Sequence, residues 1–508
     1  MGRVAIAAPS ALAAAAGAAI ADAGGNAVDA AIAASIFASI SEPGVCSLGA
    51  GGFITVMSPE GESVVYDGQV EMPGRGLPPE RFGQGMFEVS MAYGGGTTTL
   101  AGPGSVATPG SVAAWAASTT AHGRLPWPEL WEPSIGAAVS GFPLPAASHR
   151  YLTQGAMEIF GREEASRAAV TGDDGMPLPN GATVHVDGLA ESLIQLAEEG
   201  PACLHGGDLG RRIADAVEAE GGILTIDDLA AYRVMRRPPL RVASADWTLA
   251  TVPPPAVGGA AVAAVLRIMG ELPDGSWDAT AVARLAEALA AVFTYRAARV
   301  DREESPEQAV TELLGASTTE QLTGVGAAST IHVSAVDTDG LACSATMSAG
   351  YGSGVLPAGT GIWLNNCLGE LELNRRGVHA LPAGTRLPSN MAPSVAHDGA
   401  GRVMAVGTPG ADRITSALAM VILNITRLGL SLEDAIAYPR LHVEGWPDHP
   451  RAAYEPGLDV SAVTLPTRPF EEPSMFFGGA AAALRHADRT LAAAADPRRT
   501  GGTAIAGE

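Results

Sequence analysis

A run of small residues meets a strand-like alternation at the Ser329–Thr330 bond, within the sequence AASTIHVSAVDTDG at 327–340. A threonine hydroxyl is a poor nucleophile unless a base lies beside it, and the α-amino group of an N-terminal threonine can be that base. The reference pKa of this amino group, about 7.7 to 8.0, leaves a useful neutral fraction near pH 7. Because the amino group exists only after the preceding peptide bond is broken, self-cleavage before Thr330 is the first hypothesis.

A structural interpretation of Thr330 is also open, because a β-branched residue suits the first position of a strand without any catalytic task. The flanking residues fit both interpretations. Residues 303–328 are rich in small and polar residues with little periodicity, which predicts a mobile surface linker. Ile331 to Val336 and Leu341 to Ser348 predict a β-hairpin.

The composition excludes several classes of function. The 508-residue chain is 47% hydrophobic, which is enough for a sizeable core. Its 54 acidic and 31 basic residues give a net charge of −23, which repels nucleic acid and acidic membranes, so we expect neither as a partner. The cysteines Cys46, Cys203, Cys343 and Cys367 lack metal-site spacing, so we expect reduced thiols and neither a metal nor a cofactor.

The elements that must position Thr330 are strands near both ends of the chain with helices between them. The patterns predict a strand at 3–7 before a helix capped near Ser10, a fresh helix start after 24–26, a hairpin at 53–66, helices at 189–199 and 281–300, a strand at 402–406 and a helix at about 413–428. The middle, roughly 110–300, is expected to be mostly helical. This order predicts a layered α/β sandwich. With no signal-peptide pattern and no apolar run long enough for a bilayer, we expect a cytoplasmic protein.

Eight blocks, in order along the chain, carry a resemblance to a known family. They are Gly24–Ala31 (GGNAVDAA), Gly49–Phe53 (GAGGF), Thr108–Val112 (TPGSV), Leu224–Tyr232 (LTIDDLAAY), Thr330–Asp337 (TIHVSAVD), Gly361–Asn366 (GIWLNN), Pro388–Met391 (PSNM) and Gly407–Gly410 (GTPG). On these residues the chain resembles the γ-glutamyltranspeptidase family of N-terminal nucleophile hydrolases. The resemblance implies an αββα sandwich of two stacked, mainly antiparallel sheets flanked by helices.

The resemblance also implies how the chain matures and which residues catalyse. Thr330 matches the family's self-processing threonine, so cleavage would give a large-subunit region, 1–329, and a small-subunit region, 330–508. The two regions would form one intertwined domain, a heterodimer of the chain's own fragments. Ser348 falls where the family has a second threonine that supports the nucleophile. Gly410 and Ala411 match a Gly-Gly pair whose backbone N–H groups form the oxyanion hole, and one such donor contributes about 2.7 to 4 kcal/mol.

The expected substrate-binding residues depart from the family pattern. The family's Ser-Ser pair is Ser389-Asn390 here, and Cys367 stands at a polar position three residues before the expected acid, Glu370. The family also uses an arginine after the first hairpin, for which Arg75 is the candidate, with Arg81 as the alternative.

A further family position, an asparagine two residues past the second threonine, is Gly350 here. Removing a polar interaction from a buried site costs on the order of 1 to 3 kcal/mol, so we expect poor glutathione binding and more apolar contact, with Tyr351 and Trp363 as candidates.

Three functions remain open at this stage. The first is a hydrolase or acyltransferase that acts on a γ-glutamyl-like amide of a small molecule through an acyl-Thr330 intermediate. The second, which the resemblance permits, is a C–C bond hydrolase of alkyl-proline antibiotic biosynthesis. The third is a catalytically silent relative that keeps the fold for binding, which the presence of Thr330, Ser348 and Gly410 disfavours.

Overall fold

The structure is a computed structural model that describes residues 2–92, 96–272, 276–300, 307–315, 330–446 and 449–507. The strands are β1 (Val4–Ala8), β2 (Gly51–Met57), β3 (Ser63–Gly68), β4 (Phe87–Met91), β5 (Thr97–Ala101), β6 (Phe142–Pro143), β7 (Thr183–Val184), β8 (Met235–Arg237), β9 (Leu240–Ser244), β10 (Trp247–Thr251), β11 (Ile331–Asp337), β12 (Ala342–Ser348), β13 (Ser394–Asp398), β14 (Val403–Gly407), β15 (Leu441–Glu444), β16 (Arg451–Tyr454), β17 (Thr467–Pro469), β18 (Ala481–Arg485), β19 (Leu491–Ala495) and β20 (Gly502–Ala506).

The helices surround these strands. They are α1 (Ala11–Asp22), α2 (Ala27–Ser41), α3 (Ser111–His122), α4 (Glu132–Ser140), α5 (Ala146–Tyr151), α6 (Met157–Phe160), α7 (Glu164–Val170), α8 (Leu189–Glu199), α9 (Asp208–Ala219), α10 (Ile226–Ala231), α11 (Gly258–Met269), α12 (Ala279–Tyr295), α13 (Glu307–Gly315), α14 (Arg413–Thr426) and α15 (Leu432–Ala437). In the part of the chain that the structure describes, no helix is both long and apolar enough to cross a bilayer.

Two antiparallel sheets form the centre of the molecule. Within the described ranges the first sheet has the strand order β20–β1–β11–β12–β2–β3–β8, and the second has the order β19–β18–β14–β13–β10–β9. The sheets pack face to face through β11 and β12 against β14 and β18. Helices α1 and α2 cover the outer face of the first sheet, and α11 and α14 cover the second. The predicted αββα sandwich is therefore confirmed. Each sheet contains strands from both sides of the Ser329–Thr330 position.

Local sequence signals explain where the first helices begin. Ser10 caps α1, and its side chain accepts a hydrogen bond from the backbone of Ala13. Asn26 caps α2 and forms a reciprocal capping box with Asp29, which satisfies donors that a helix start leaves unpaired. All residues of α2 are buried, because one face lies on the sheet and the other lies under further helices and loops. The predicted starts near Ser10 and after 24–26 are confirmed.

The region 110–300 is mostly helical, as expected, and also contains the short strands β6 to β10, of which β8 extends the first sheet and β9 and β10 extend the second. One expectation about the middle of the chain is wrong. The segment expected to be a linker contains α13, which buries Ala309, Val310 and Leu313 against the second core. This spacing places three apolar side chains on one face of a short helix. The remainder of that segment, including Ser329, lies outside the described residues.

Candidate active site

Thr330 lies immediately before β11, one of the central strands of the first sheet. Only 3% of its surface is exposed. Two cavities border it, one on the side of Ser348 and one on the side of Glu42. We call these the Ser348 cavity and the Glu42 cavity. A hydroxyl between two cavities can be approached by a substrate from one side and by a second group from the other.

The Ser348 cavity brings together most of the predicted site residues. It has about 280 Å³ of empty volume, including the part open to solvent. Its lining comprises Gln69, Thr330, Ser348, Cys367, Glu370, Leu373, Ser389, Asn390, Met391, Ala411 and Ile414. Seven of the predicted residues, from five separate segments, therefore meet at one cavity, and Gly410 adjoins it through Ala411.

The register of the β11–β12 hairpin places Ser348 beside Thr330. Ile331 pairs with Met347, so the residue before Ile331 and the residue after Met347 come opposite each other at the end of the hairpin. The backbone N–H of Gly350 donates a hydrogen bond to the Ser348 hydroxyl oxygen at 3.1 Å. This bond occupies one acceptor site on the hydroxyl and fixes its position at the end of the hairpin.

Gly410 and Ala411 form a strained turn between β14 and α14. Their φ angles are +130° and +66°, so both lie in the region that side chains disfavour. A Cβ on Gly410 would come within 2.9 Å of the Gly478 Cα atom. Ala411 lines the Ser348 cavity, whereas Gly410 lines neither cavity. The turn precedes the N-terminus of the 14-residue helix α14, where unpaired N–H groups and the helix dipole favour negative charge.

Asp412 anchors this turn. Its Oδ1 atom accepts a hydrogen bond from the Arg413 guanidinium at 3.0 Å, and its Oδ2 atom lies 3.4 Å from Nε2 of His442. Burial alone would raise the pKa of Asp412, but His442 and Arg413 outweigh that effect and hold the pKa below its ordinary value. The buried carboxylate therefore fixes the chain directly after Ala411.

His332 joins the nucleophile's strand to the strand that leads into this turn. One ring nitrogen lies 2.7 Å from the Thr346 hydroxyl, and the other lies 2.8 Å from the Ser334 hydroxyl. Complete burial lowers the pKa of His332 to about 3, so the ring is neutral at neutral pH. A Cβ on Gly407, at the end of β14, would come within 2.3 Å of the ring. The ring thus sets the spacing between the two sheets beside the site.

The acidic end of the Ser348 cavity is formed by Glu370. Burial is the main cause that raises the pKa of Glu370 well above its ordinary value, and the nearby Glu372 adds to it. Burial likewise raises the pKa of Cys367 well above the usual value, with Glu370 adding to the effect. The Oε2 atom of Glu370 has no hydrogen-bond partner among the described residues. Burial therefore favours the neutral forms of both the carboxyl and the thiol on this wall of the cavity.

Gly350 packs tightly beside this carboxyl. Its φ angle is +63°, and a Cβ there would come within 2.4 Å of the Asn366 Oδ1 atom and 3.1 Å of the Glu370 carboxyl carbon. Any larger residue at this position would have to displace one of them.

Ser389 and Asn390 form the opposite wall. The Ser389 hydroxyl accepts a hydrogen bond from the Met391 backbone at 3.1 Å, so it also braces its own turn. The fully buried Arg296 donates a hydrogen bond to Oδ1 of Asn390 at 2.7 Å, while Nδ2 of Asn390 has no partner within the described ranges. The cavity therefore faces one free amide donor from Asn390.

The structure does not bring the predicted arginine to the cavity. Arg75 pairs with Asp228 at 3.2 Å and with Glu71 at 3.5 Å, and Arg81 donates to the Gly222 carbonyl. Neither lines the Ser348 cavity. The wall following the first hairpin is formed instead by Gln69, a neutral amide. Gln69 was not predicted from the sequence, although its position directly after β3 was the available signal.

The two predicted aromatic contacts are core residues. Tyr351 is buried and donates a hydrogen bond from its hydroxyl to Glu372, and Trp363 donates from its ring nitrogen to Ser166. Neither lines the Ser348 cavity. Its apolar lining comes from Leu373, Met391 and Ile414 instead. Among the described residues, no group of three or more histidine, cysteine or acidic side chains is arranged to hold a metal ion.

The Glu42 cavity lies on the other side of Thr330. It has about 330 Å³ of empty volume, including the part open to solvent, and room at its centre for about one water molecule. Glu42, Asp496 and Arg499 are its charged lining residues, and Pro409 lines it beside the turn at Gly410. The sequence offered no signal for this site, because Glu42 follows α2 and is distant in sequence from Thr330.

Comparison with known proteins defines the class. A family model for gamma-glutamyltranspeptidase matches residues 13–506. The chain is 31% identical over 446 residues to the acylase ACY 1 proenzyme of Pseudomonas sp. strain SE83, covering 82% of this chain and 78% of that protein. It is 26% identical over 474 residues to the glutathione hydrolase proenzyme of Escherichia coli K12, covering 86% of this chain and 80% of the relative. The chain therefore belongs to the γ-glutamyltranspeptidase family, a family of hydrolases and transferases.

Solved structures extend the similarity of fold to nearly the whole chain. A cephalosporin acylase from Bacillus halodurans superposes with a TM-score of 0.82 at 24% identity, covering 99% of this chain and 96% of that one. The protein LmbA2991HD superposes with a TM-score of 0.77 at 21% identity, covering 100% of this chain and 99% of that one. At these identities the likeness establishes the N-terminal nucleophile hydrolase fold.

Proposed function

We propose that the protein is a self-cleaving N-terminal threonine hydrolase or acyltransferase that acts on an amide of a small molecule. The observation that carries the proposal is that Thr330, Ser348 and Ala411 line one cavity, together with polar atoms of Glu370 and Asn390 that lack a partner among the described residues. Cleavage between Ser329 and Thr330 would leave the fragments 1–329 and 330–508 as a heterodimer. The names of the relatives support maturation, because both are described as proenzymes.

The proposed reaction uses the groups at this cavity in order. The Thr330 hydroxyl oxygen attacks the amide carbon, and its proton passes to the free α-amino group of the same residue. Negative charge on the amide oxygen is stabilised by the backbone N–H groups at Gly410 and Ala411, at the start of α14. The C–N bond then breaks, and the leaving amine takes the proton. Water or an acceptor amine releases the acyl group from the ester.

The role proposed for Ser348 is to orient the nucleophile. Ser348 lies opposite Thr330 at the end of the β11–β12 hairpin, and its hydroxyl oxygen accepts a hydrogen bond from the Gly350 backbone N–H, which fixes it beside the nucleophile. The proposed hydrogen bond between the two hydroxyls favours the attacking geometry in each cycle.

The cavity favours an acyl group with few charges. Within the described residues its lining contains no guanidinium or ammonium, and burial raises the pKa of its acid, Glu370. A γ-glutamyl group has both an ammonium and a carboxylate to satisfy, and Gln69 and Asn390 offer only neutral amides. We therefore propose an amide whose acyl arm is less charged than a γ-glutamyl group. The similarity to acylases at 30 to 31% identity supports an amide as the substrate.

The experiment combines mass spectrometry with a substrate screen. Intact mass of the purified protein should show two fragments that meet at the Ser329–Thr330 bond. The screen should include glutathione, a γ-glutamyl anilide, uncharged N-acyl anilides and keto acids that would release a C–C cleavage product. Faster turnover of an uncharged anilide than of glutathione and the γ-glutamyl anilide supports the proposal. Preference for keto acids would assign the C–C hydrolase function. A single uncut chain that is active would refute Thr330 as an N-terminal nucleophile.

A further inference from the structure

The first step of self-cleavage lacks a base in the mechanism above. Before cleavage the α-nitrogen of Thr330 belongs to a peptide bond, and an amide nitrogen has no basic lone pair. The group that serves as base in the mature enzyme therefore does not yet exist when the Thr330 hydroxyl must first be activated. Some other group that reaches this hydroxyl has to accept its proton.

The ionisable groups that line the two cavities are the candidates for this base. In the Ser348 cavity the acid is Glu370, and burial there raises its pKa well above the ordinary value, which disfavours the carboxylate form that a base needs. In the Glu42 cavity, Asp496 is already engaged through both oxygens. Its Oδ2 atom lies 2.6 Å from Arg440 and accepts from the Ala480 backbone, and its Oδ1 atom pairs with Arg498 at 3.2 Å.

Glu42 differs from both of these acids. It is 3% exposed, and its Oε1 atom has no hydrogen-bond partner among the described residues. The carboxyl lines the same cavity as Thr330, and the cavity has room for about one water molecule. A buried polar atom without a protein partner is expected to bind water when the space allows it. One water molecule can relay a proton between a hydroxyl and a carboxylate.

We propose that Glu42 is the base that activates the Thr330 hydroxyl for self-cleavage, acting through one water molecule in the Glu42 cavity. This proposal rests on the self-cleavage proposed above. The proton of the Thr330 hydroxyl passes to the water, and a proton of the water passes to Glu42. The hydroxyl oxygen bonds to the preceding carbonyl carbon. As the C–N bond breaks, Glu42 returns the proton through the water to the departing α-nitrogen, which leaves an ester and a free amine.

The ionisation of Glu42 suits this role. Burial raises its pKa to about 7, and Arg499 opposes the shift. The carboxylate form is therefore populated at and above neutral pH, while the protonated form is still accessible for returning the proton. The groups that face it are Arg499, the ion-paired Asp496 and the Cys46 thiol, whose pKa burial raises to about 12. Cys46 thus stays neutral across the range in which Glu42 titrates.

The test follows the cleavage of freshly made precursor, which needs no knowledge of the substrate. The full chain is produced by cell-free translation, exchanged into buffers from pH 5.5 to 8.5, and analysed by intact mass over time. The wild-type rate should rise with pH through about 7, because the carboxylate is the active form. Glu42→Gln keeps the size of the side chain but removes the base, so its cleavage should be at least about tenfold slower and lack this rise.

A matched control variant and a reaction with hydroxylamine show which step of self-cleavage is blocked in Glu42→Gln. Glu163→Gln makes the same change at another acid whose pKa burial raises, outside both cavities, and should cleave at the wild-type rate. Neutral hydroxylamine cleaves esters but not peptide bonds. The uncut Glu42→Gln chain should resist it, because the block precedes ester formation.

Three results would overturn the proposal for Glu42. They are a wild-type rate that does not change between pH 5.5 and 8.5, a Glu42→Gln rate less than tenfold below wild type, or hydroxylamine-sensitive Glu42→Gln chains. The wild-type profile needs no variant, so it decides the matter even if Glu42→Gln fails to fold. Failure of the wild-type precursor to split at all would instead refute self-cleavage itself, which keeps the two proposals distinguishable.

Discussion

The two cavities beside Thr330 differ in the state of their polar groups. In the Ser348 cavity, polar atoms of Glu370 and Asn390 lack partners among the described residues, and the lining carries no basic side chain there. In the Glu42 cavity, acids and a guanidinium lie together, and Asp496 is held by two arginines. Unpaired polar atoms without a basic side chain beside them suit the recognition of a ligand with few charges, whereas a cluster of ionisable groups suits proton transfer. The comparison suggests one nucleophile served by separate surfaces for substrate and for maturation.

The largest effect should come from removing the nucleophile that both cavities share. Thr330→Ala should give one uncut chain with no detectable turnover. The variant lacks the hydroxyl that attacks the preceding carbonyl carbon, and without cleavage no free α-amino group is formed. Intact mass and a turnover assay measure the two consequences. Thr330→Ser keeps a hydroxyl and should still split. An uncut but active Thr330→Ala protein would show that Thr330 is not the nucleophile.

The second prediction tests the proposed preference of the Ser348 cavity for uncharged groups. Glutathione should be hydrolysed with kcat/KM below about 10² M⁻¹s⁻¹, a hundredfold below the range of 10⁴ to 10⁸ M⁻¹s⁻¹ typical of efficient enzymes. The physical reason is that two charged ends of the substrate would be buried against neutral amides, at a cost of about 1 to 3 kcal/mol for each unpaired group. Steady-state kinetics provide the measurement, with an uncharged anilide as the control. A value inside the efficient range would restore the plain γ-glutamyl assignment.

The sequence was sufficient to predict those features of the site that depend on neighbouring residues, but not those that depend on long-range packing. The order of Thr330 and Ser348 in a hairpin follows from local alternation, and pairing of neighbouring strands needs no long-range information. The turn at Gly410 and Ala411 carries its own signal in the Thr-Pro-Gly motif before a helix. Such short-range features are visible in a linear pattern.

The features that were missed depend on packing between segments that are distant in the sequence. Glu42 reaches Thr330 only because α2 lies across β11, and no local pattern reports where that helix ends relative to the strand. Arg75 is paired by Asp228, far along the chain, which leaves Gln69 at the cavity. The strand β9 was missed because it lies at the edge of its sheet, where polar residues are tolerated and the alternation is weak.

The third prediction concerns the support that Ser348 gives to the nucleophile from within its cavity. Ser348→Ala should slow both maturation and turnover by about tenfold, which corresponds to about 1.4 kcal/mol, the usual worth of one hydrogen bond. Ser348→Thr should preserve both rates. Ser344→Ala is the matched control, since Ser344 lies on the same strand and donates a buried hydrogen bond to the Val406 carbonyl. Equal rates for all variants would remove Ser348 from the mechanism.

The smallest expected effect is the dependence of stability on the ionisation of Glu370. Its pKa is raised in the folded protein, mainly by burial, so the unfolded chain loses this proton at a lower pH than the folded one. The contribution of the neutral carboxyl to stability is complete below the unfolded pKa near 4.5 and is lost as pH rises through the folded pKa. Glu370→Gln is neutral at every pH, so its melting temperature relative to wild type should increase between pH 5 and pH 8.

An exposed acid supplies the control for this comparison of melting temperatures. Glu199, at the end of α8, is exposed to solvent, so Glu199→Gln should differ from wild type by the same amount at both pH values. If Glu370→Gln also shows a constant difference, Glu370 does not titrate with a raised pKa, and the Ser348 cavity would hold a carboxylate at neutral pH. The cavity could then pair with an ammonium group. The contrast between a neutral cavity for substrate and a charged cavity for maturation would fail, and a γ-glutamyl amide would again fit the site.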